Sequence, residues 1–126
     1  GGDVEITASY PAGKVGTTAE NLEAAAGGEN EEWGELYPHF AEVAAQEGFQ
    51  KISNAFKNIA KVEKEHEARY RKLLANVQEG RVFEREEKVR WKCRVCGFVH
   101  EATKAPKYCP ACDHPQEHFE IDGENY

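Results

Sequence analysis

From Ile52 to Val77 the chain steps alternately by four and three: Ile52, Phe56, Ile59, Glu63, His66, Tyr70, Leu73, Val77. Such spacing keeps one stripe of side chains on a single helix face, turned toward a partner helix, and Gly80 supplies a stop. Upstream, Leu22, Ala26, Trp33, Leu36, Phe40 and Val43 mark an earlier helix, opened by the capping-box pattern Thr17-Thr18-Ala19-Glu20. Pro38 lacks a backbone N–H and crowds the preceding turn, so a kink is expected near Gly34. Gly48 suits a C-terminal cap. Two helices joined around Gly48 predict an antiparallel hairpin, which cannot cover its own apolar stripe. A four-helix bundle is the expected setting, and half of it lies in this sequence. Residues 1–16, punctuated by Gly and Pro, predict an extended connector.

From Arg81 the texture changes. The charged stretch Glu84-Arg85-Glu86-Glu87 leads into short β-prone pieces, Val89-Arg90-Trp91 and Phe98-Val99. The pattern divides the chain into a connector and hairpin over residues 1–80 and a small β unit over residues 81–126. A unit that small needs a metal or disulfides to hold it. All four cysteines lie there, as Cys93-Arg94-Val95-Cys96-Gly97 and Cys109-Pro110-Ala111-Cys112. Two C-x-x-C pairs at this separation form tight knuckles and predict a tetrahedral metal site. Gly97 permits the close turn after the first knuckle; Asp113 must manage the matching turn. Sulfur tetrahedra suit zinc or iron, giving a structural ribbon or a one-electron carrier. Two disulfides are the competing reading, disfavoured in a reducing compartment.

Charge sharpens the first half. The 126 residues carry −7 overall and are 40% apolar. Residues 1–80 hold −6 of that charge, with 8 Lys or Arg against 14 Asp or Glu. Clustered basic residues are lacking, which argues against nucleic-acid binding. No stretch approaches the roughly 20 apolar residues of a membrane span, and no signal segment opens the chain. A soluble cytoplasmic protein is expected. The sequence has no methionine and begins Gly1-Gly2-Asp3, so an upstream segment is expected to have been removed or to be absent.

Glu63 and His66 stand in the apolar stripe, one turn apart and projecting the same way. Glu29 occupies the corresponding slot between Ala26 and Trp33, with Glu32 one turn on. Taken singly, each is an ordinary bundle-end or hydrogen-bonded residue. Taken together they are costly, because buried unpaired carboxylates lose several kcal/mol each unless cations or pKa shifts compensate. Converging carboxylate and imidazole donors predict a hard-metal site. Ferritin-like di-iron proteins use a Glu from each of two helices and Glu-x-x-His from each of the others.

The stretches GENEEW, YPHFAEVA, NIAKVEKEH, RWKCRVCGFVH and YCPACDHPQEHFE together resemble the rubrerythrin family, from Val4 to Tyr126. The resemblance implies an α protein with a small metal-binding β domain: half of a ferritin-like four-helix bundle followed by a rubredoxin-like domain. It implies a non-haem di-iron peroxidase that reduces hydrogen peroxide to water in defence against oxidative stress. Glu29, Glu32, Glu63 and His66 would hold two iron ions. Cys93, Cys96, Cys109 and Cys112 would hold one, zinc being the other occupant. Tyr37 matches a tyrosine that hydrogen-bonds near the di-iron site. The family also implies a homodimer or larger assembly, with a rubredoxin or an NAD(P)H-dependent reductase as electron donor.

One departure is large. Members of the family begin with two further helices carrying one Glu and another Glu-x-x-His, which this sequence lacks. That hairpin is expected as a separate chain or from a paired copy. Two other functions fit the same residues: a ferroxidase or iron-handling bundle, and a non-catalytic hairpin with a structural zinc ribbon.

Overall fold

The computed structural model describes residues 1–9 and 13–125; residues 10–12 of the expected connector lie outside them. The other residues before Thr17 form no helix or strand. Two compact units follow, residues 1–75 and 76–126.

Helix α1 spans Thr18–Glu31 and starts as its cap dictates. Thr17 Oγ1 accepts the Glu20 N–H, and Glu20 Oε2 accepts the Thr17 N–H at 2.8 Å. The Thr17 N–H and hydroxyl, both donating to Glu20 Oε2, hold that carboxyl below its ordinary range. Pro38 does not break the helix. A π segment covers Glu32–Leu36, and α2 continues from Tyr37 to Gln46. Across the wide turn, the Tyr37 N–H reaches the Glu32 carbonyl five residues back. The extra residue absorbs the donor that proline cannot offer, so the expected disturbance near Gly34 is a π-bulge.

Gly48, at φ +86°, reverses the chain. The Gly48 N–H bonds to Ala45 O and the Phe49 N–H to Ala44 O, a Schellman closure. Helix α3 then runs from Gln50 to Gln78. It ends in the same way at Gly80, where Arg81 N–H reaches Asn76 O at 2.7 Å.

The stripe read from the spacing is not the line along which the hairpin is most buried. Its members Ile52 and Leu73 stay 49% and 44% exposed, whereas Ser53, Glu67 and Leu74 are buried. The buried positions sit one residue on from Ile52, His66 and Leu73. One neighbouring helix covers only a narrow line, so the apolar stripe lies half-open beside it. On the other side of the hairpin the buried residues Ala26, Ala41 and Ala44 are small. Small side chains let helix backbones approach closely.

The second unit is a three-stranded antiparallel sheet in the order β2-β1-β3. Strand β1 is Glu84–Cys93, β2 is Val99–Lys104 and β3 is Phe119–Ile121. Trp91 faces His100 on β2 and Ile121 on β3, while Cys93 faces Phe119. The core is Trp91, Cys93, Ala105, Cys109 and Phe119, with Phe83, Val89, Phe98 and Cys112 packed against it. Trp91 satisfies its indole N–H with the Ala102 carbonyl at 3.0 Å. Asp122 anchors the last strand to the first by pairing with Arg90 at 2.9 Å and Lys92 at 3.2 Å. Among the described residues, no helix is long and apolar enough to cross a membrane.

Candidate metal centres

Each cysteine pair is held by the same two backbone bonds. In the first knuckle the Gly97 N–H reaches Cys93 O, and the Cys93 N–H reaches Phe98 O. In the second, Asp113 N–H reaches Cys109 O, and Cys109 N–H reaches His114 O. Gly97 has φ +80° and Asp113 has φ +57°, so the aspartate takes the left-handed conformation glycine takes opposite. His114 adds its Nδ1 to the second turn, 3.0 Å from the Cys112 carbonyl.

This repetition brings the four sulfurs together as free thiols within 4.8 Å of one another. Cys93 and Cys112 are 3.7 Å apart, and Cys96 and Cys109 are 3.6 Å apart. A tetrahedron with metal–sulfur bonds of about 2.3 Å has edges of about 3.8 Å, so the donor set fits a tetrahedral ion. The electrostatics agree. Burial pushes the Cys93 thiol up, but the N–H groups of Cys96 and Val95 and two neighbouring thiols hold it down to about 7. The His114 N–H favours a Cys112 thiolate, yet burial and the three other sulfurs push that thiol up to about 12. Four thiolates cannot share so small a space without a cation among them.

In the hairpin, α1 presents Glu29 and α3 presents Glu63 and His66, with donor atoms within 4.8 Å of one another. His66 Nδ1 lies 2.7 Å from Glu63 Oε2 and 3.6 Å from Glu29 Oε2. Burial raises the Glu29 pKa above the ordinary carboxylate range, and the Glu63 charge adds to it. Two carboxylates and one imidazole nitrogen form a set suited to a hard or borderline divalent metal. Glu32 stands outside the converging trio. It is the first residue of the π segment, and its N–H still bonds to the Gly28 and Glu29 carbonyls, so the backbone step from Glu29 is that of an ordinary helix. Tyr37 lies within the field of the cluster: burial, then Glu32, Glu63 and Glu29, raise its pKa. Its phenol therefore stays a hydrogen-bond donor. The ring is stacked on Phe56 and set edge-on to Phe40.

Glu67 escaped the sequence reading. Only 8% exposed, it accepts from Asn30 Nδ2 at 3.0 Å, Trp33 Nε1 and Arg71 Nε at 2.6 Å. The i,i+4 spacing of Glu67 and Arg71 was the available signal, but it is shared with many exposed pairs. The Asn30, Trp33 and Arg71 bonds hold the Glu67 carboxyl down to about 2, against 4.5 ordinarily. A depressed pKa stabilises the fold fully above the unfolded value and ceases to do so as pH falls through the folded one. The urea midpoint of the helical signal is therefore expected to fall between about pH 4.5 and 2 more steeply than in Glu67→Gln. Circular dichroism at 222 nm measures it; parallel curves would remove the assignment.

Two family models match the stretches of chain that carry these clusters. The family model described as Rubrerythrin matches residues 3–74, and that described as Rubrerythrin, rubredoxin-like domain matches residues 91–120. Rubrerythrin of Porphyromonas gingivalis is 62% identical over 126 residues, covering 100% of this chain and 63% of that protein. Rubrerythrin of Nitratidesulfovibrio vulgaris is 50% identical over 126 residues, covering 100% of this chain and 66% of that protein. The chain thus spans about two-thirds of the length of these relatives. A solved nigerythrin in a partially reduced state superposes with a TM-score of 0.50 at 23% identity, over 92% of this chain and 55% of that one. That likeness concerns the fold.

Proposed function

This chain belongs to the rubrerythrin family, and on that premise we propose that it provides the electron-delivery site and half of the reacting site of a di-iron peroxidase. The observation that carries the reading is one chain bearing both a carboxylate–imidazole cluster and a four-sulfur cluster. Iron is the metal that this family and these donor sets take. Reduction of H2O2 to two waters consumes two electrons and two protons. When bound, two ferrous ions supply the two electrons and the Lewis acidity for cleaving the O–O bond.

The remaining tasks fall to the protein. Glu29 and Glu63 would offset the metal charge, and His66 would hold one ion through a ring nitrogen. Glu32, at the start of the π segment, would add a further carboxylate to the set. Tyr37 keeps its proton at neutral pH and is the proposed donor of a hydrogen bond to the substrate. Cys93, Cys96, Cys109 and Cys112 hold the one-electron relay, whose potential is set by burial and by N–H bonds to sulfur. A ferroxidase or storage role leaves that relay without a task.

The hairpin offers one Glu and one Glu-x-x-His, half of a di-iron set. We assign the other half to a second hairpin, on a separate segment or a paired copy, seated on the half-open stripe of α3. A homo-oligomer, a reductase or rubredoxin as electron donor, and the cytoplasm, where thiols stay reduced, complete the proposal. The division into residues 1–80 and 81–126 separates the two chemical tasks.

One experiment tests it. The assembled, iron-loaded protein is reduced without oxygen until the red ferric–sulfur absorption bleaches, then mixed with a limiting amount of H2O2. The absorption is expected to return in proportion to peroxide added, with water as the product. Colour that stays bleached while peroxide persists refutes the reading.

A further inference from the structure

The carboxylate with the most donors in the hairpin takes no part in the chemistry proposed above. Glu67 accepts three hydrogen bonds, two on Oε2 from Asn30 and Trp33 and one on Oε1 from Arg71. Asn30 lies on α1 and Trp33 in the π segment, so both bonds cross between the arms of the hairpin. A further contact makes the same crossing: Lys64 Nζ sits 5.2 Å from the centre of the Trp33 ring.

The order of these residues is the informative part. Asn30 follows Glu29, Trp33 follows Glu32, Lys64 follows Glu63 and Glu67 follows His66. Each assigned metal-binding residue is thus succeeded by a member of one cross-helix network. In a regular helix the next residue lies about 100° around and 1.5 Å along the axis. The network therefore runs as a second row beside the first. A slip of one turn, about 5.4 Å, would break both rows together. Rotation of either helix would lengthen the Glu67 bonds as it swung the donor atoms apart.

The π segment adds a reason for such a device. Its wide turn holds Glu32 and Trp33 with a less regular backbone ladder than an α-helix provides. The indole of Trp33, fixed by Glu67 on one side and covered by Lys64 on the other, sets that turn against α3.

We propose that Glu67 is a positioning residue for the carboxylate–imidazole centre, holding through Asn30 and Trp33 the turn that presents Glu29 and Glu32 to Glu63 and His66. It rests on the reading of those four residues as metal ligands. Groups hydrogen-bonded to a metal ligand typically change affinity roughly 10–100-fold, and Glu67 acts one step further out, through Asn30 and Trp33. A clamp serving only the hairpin's stability would change melting and leave affinity alone.

The test uses the intact assembled protein, with zinc in the sulfur site and the helical site stripped by chelator. Co2+ is titrated calorimetrically into the parent, Glu67→Ala, Glu67→Gln and Trp33→Phe. Glu67→Ala is expected to weaken Co2+ binding roughly 10-fold, the low end of that range, because it acts through Asn30 and Trp33. Trp33→Phe, which keeps the ring and loses the N–H, is expected to weaken it less. Glu67→Gln, whose amide oxygen still accepts from Trp33, is expected to recover part of the loss. In the parent, the Trp33 indole 1H–15N resonance is expected to move as diamagnetic zinc fills the site. Dissociation constants within about twofold of the parent in folded Glu67→Ala and Trp33→Phe overturn the proposal while leaving the metal site standing. If Glu67→Ala does not fold, Trp33→Phe and the indole resonance decide. A parent that binds no Co2+ overturns the site reading and this proposal with it.

Discussion

Glu63→Ala is expected to abolish peroxide turnover while leaving the ferric absorption of the sulfur site unchanged. Glu63 lies 2.7 Å from His66 Nδ1, and its charge helps to raise the pKa of Glu29. Removing Glu63 takes away a carboxylate proposed to bind metal and the partner 2.7 Å from His66 Nδ1. Loss of a direct ligand should exceed the roughly 10–100-fold typical of an outer-shell partner, so turnover should fall by more than two orders of magnitude. The cysteine unit shares no ligand with this cluster, and its spectrum is the internal control. Stopped-flow peroxide consumption, with iron counted per chain, measures the effect. Turnover within tenfold of the parent would remove Glu29, Glu63 and His66 from the reaction.

The second large effect concerns Cys109. It is 2% exposed and belongs both to the sulfur cluster and to the small core with Trp91, Cys93, Ala105 and Phe119. So few buried side chains cannot alone offset the chain entropy of the unit. Structural metal binding of this kind contributes about 10–16 kcal/mol in zinc-finger peptides, more than such a core supplies. Cys109→Ala is therefore expected to lose the sulfur-site metal and unfold strands β1 to β3. The amide resonances of residues 84–121 should collapse toward random-coil positions while those of α1 and α2 persist. Cys96→Ser is the graded comparison. Cys96 is exposed, and serine keeps an oxygen donor at the knuckle, so a weakened but folded unit is expected. Preserved dispersion in Cys109→Ala would show that packing, not metal, holds the unit.

The two centres differ in how far they could be read from sequence, and the reason is distance along the chain. A C-x-x-C knuckle is complete within six residues, and its repeat at Cys109 carries the same pair of backbone bonds. Its tetrahedral geometry follows almost from spacing alone. The helical cluster joins Glu29 to Glu63 and His66, more than thirty positions apart, and depends on how two helices rotate against each other. Sequence periodicity named Glu32 alongside Glu29, yet its carboxylate stands outside the converging trio. Proline announced a disturbance in that helix, whereas its form as a bulge depended on which turn gave way.

Local signals determined where the elements begin and end: the Thr17–Glu20 box, the glycines at 48, 80 and 97, and the cysteine knuckles each close their bonds within a few residues. Tertiary structure decided what those elements bury. The hairpin covers Ser53, Glu67 and Leu74 in preference to the stripe one residue away, and it turns Glu67 from one more acidic residue into the acceptor of three bonds. Likewise, the pairing order β2-β1-β3 carries Phe119 to Cys93. A side chain's period along the chain sets the face it occupies, but only the partner that arrives there sets its solvation, its charge and its chemistry.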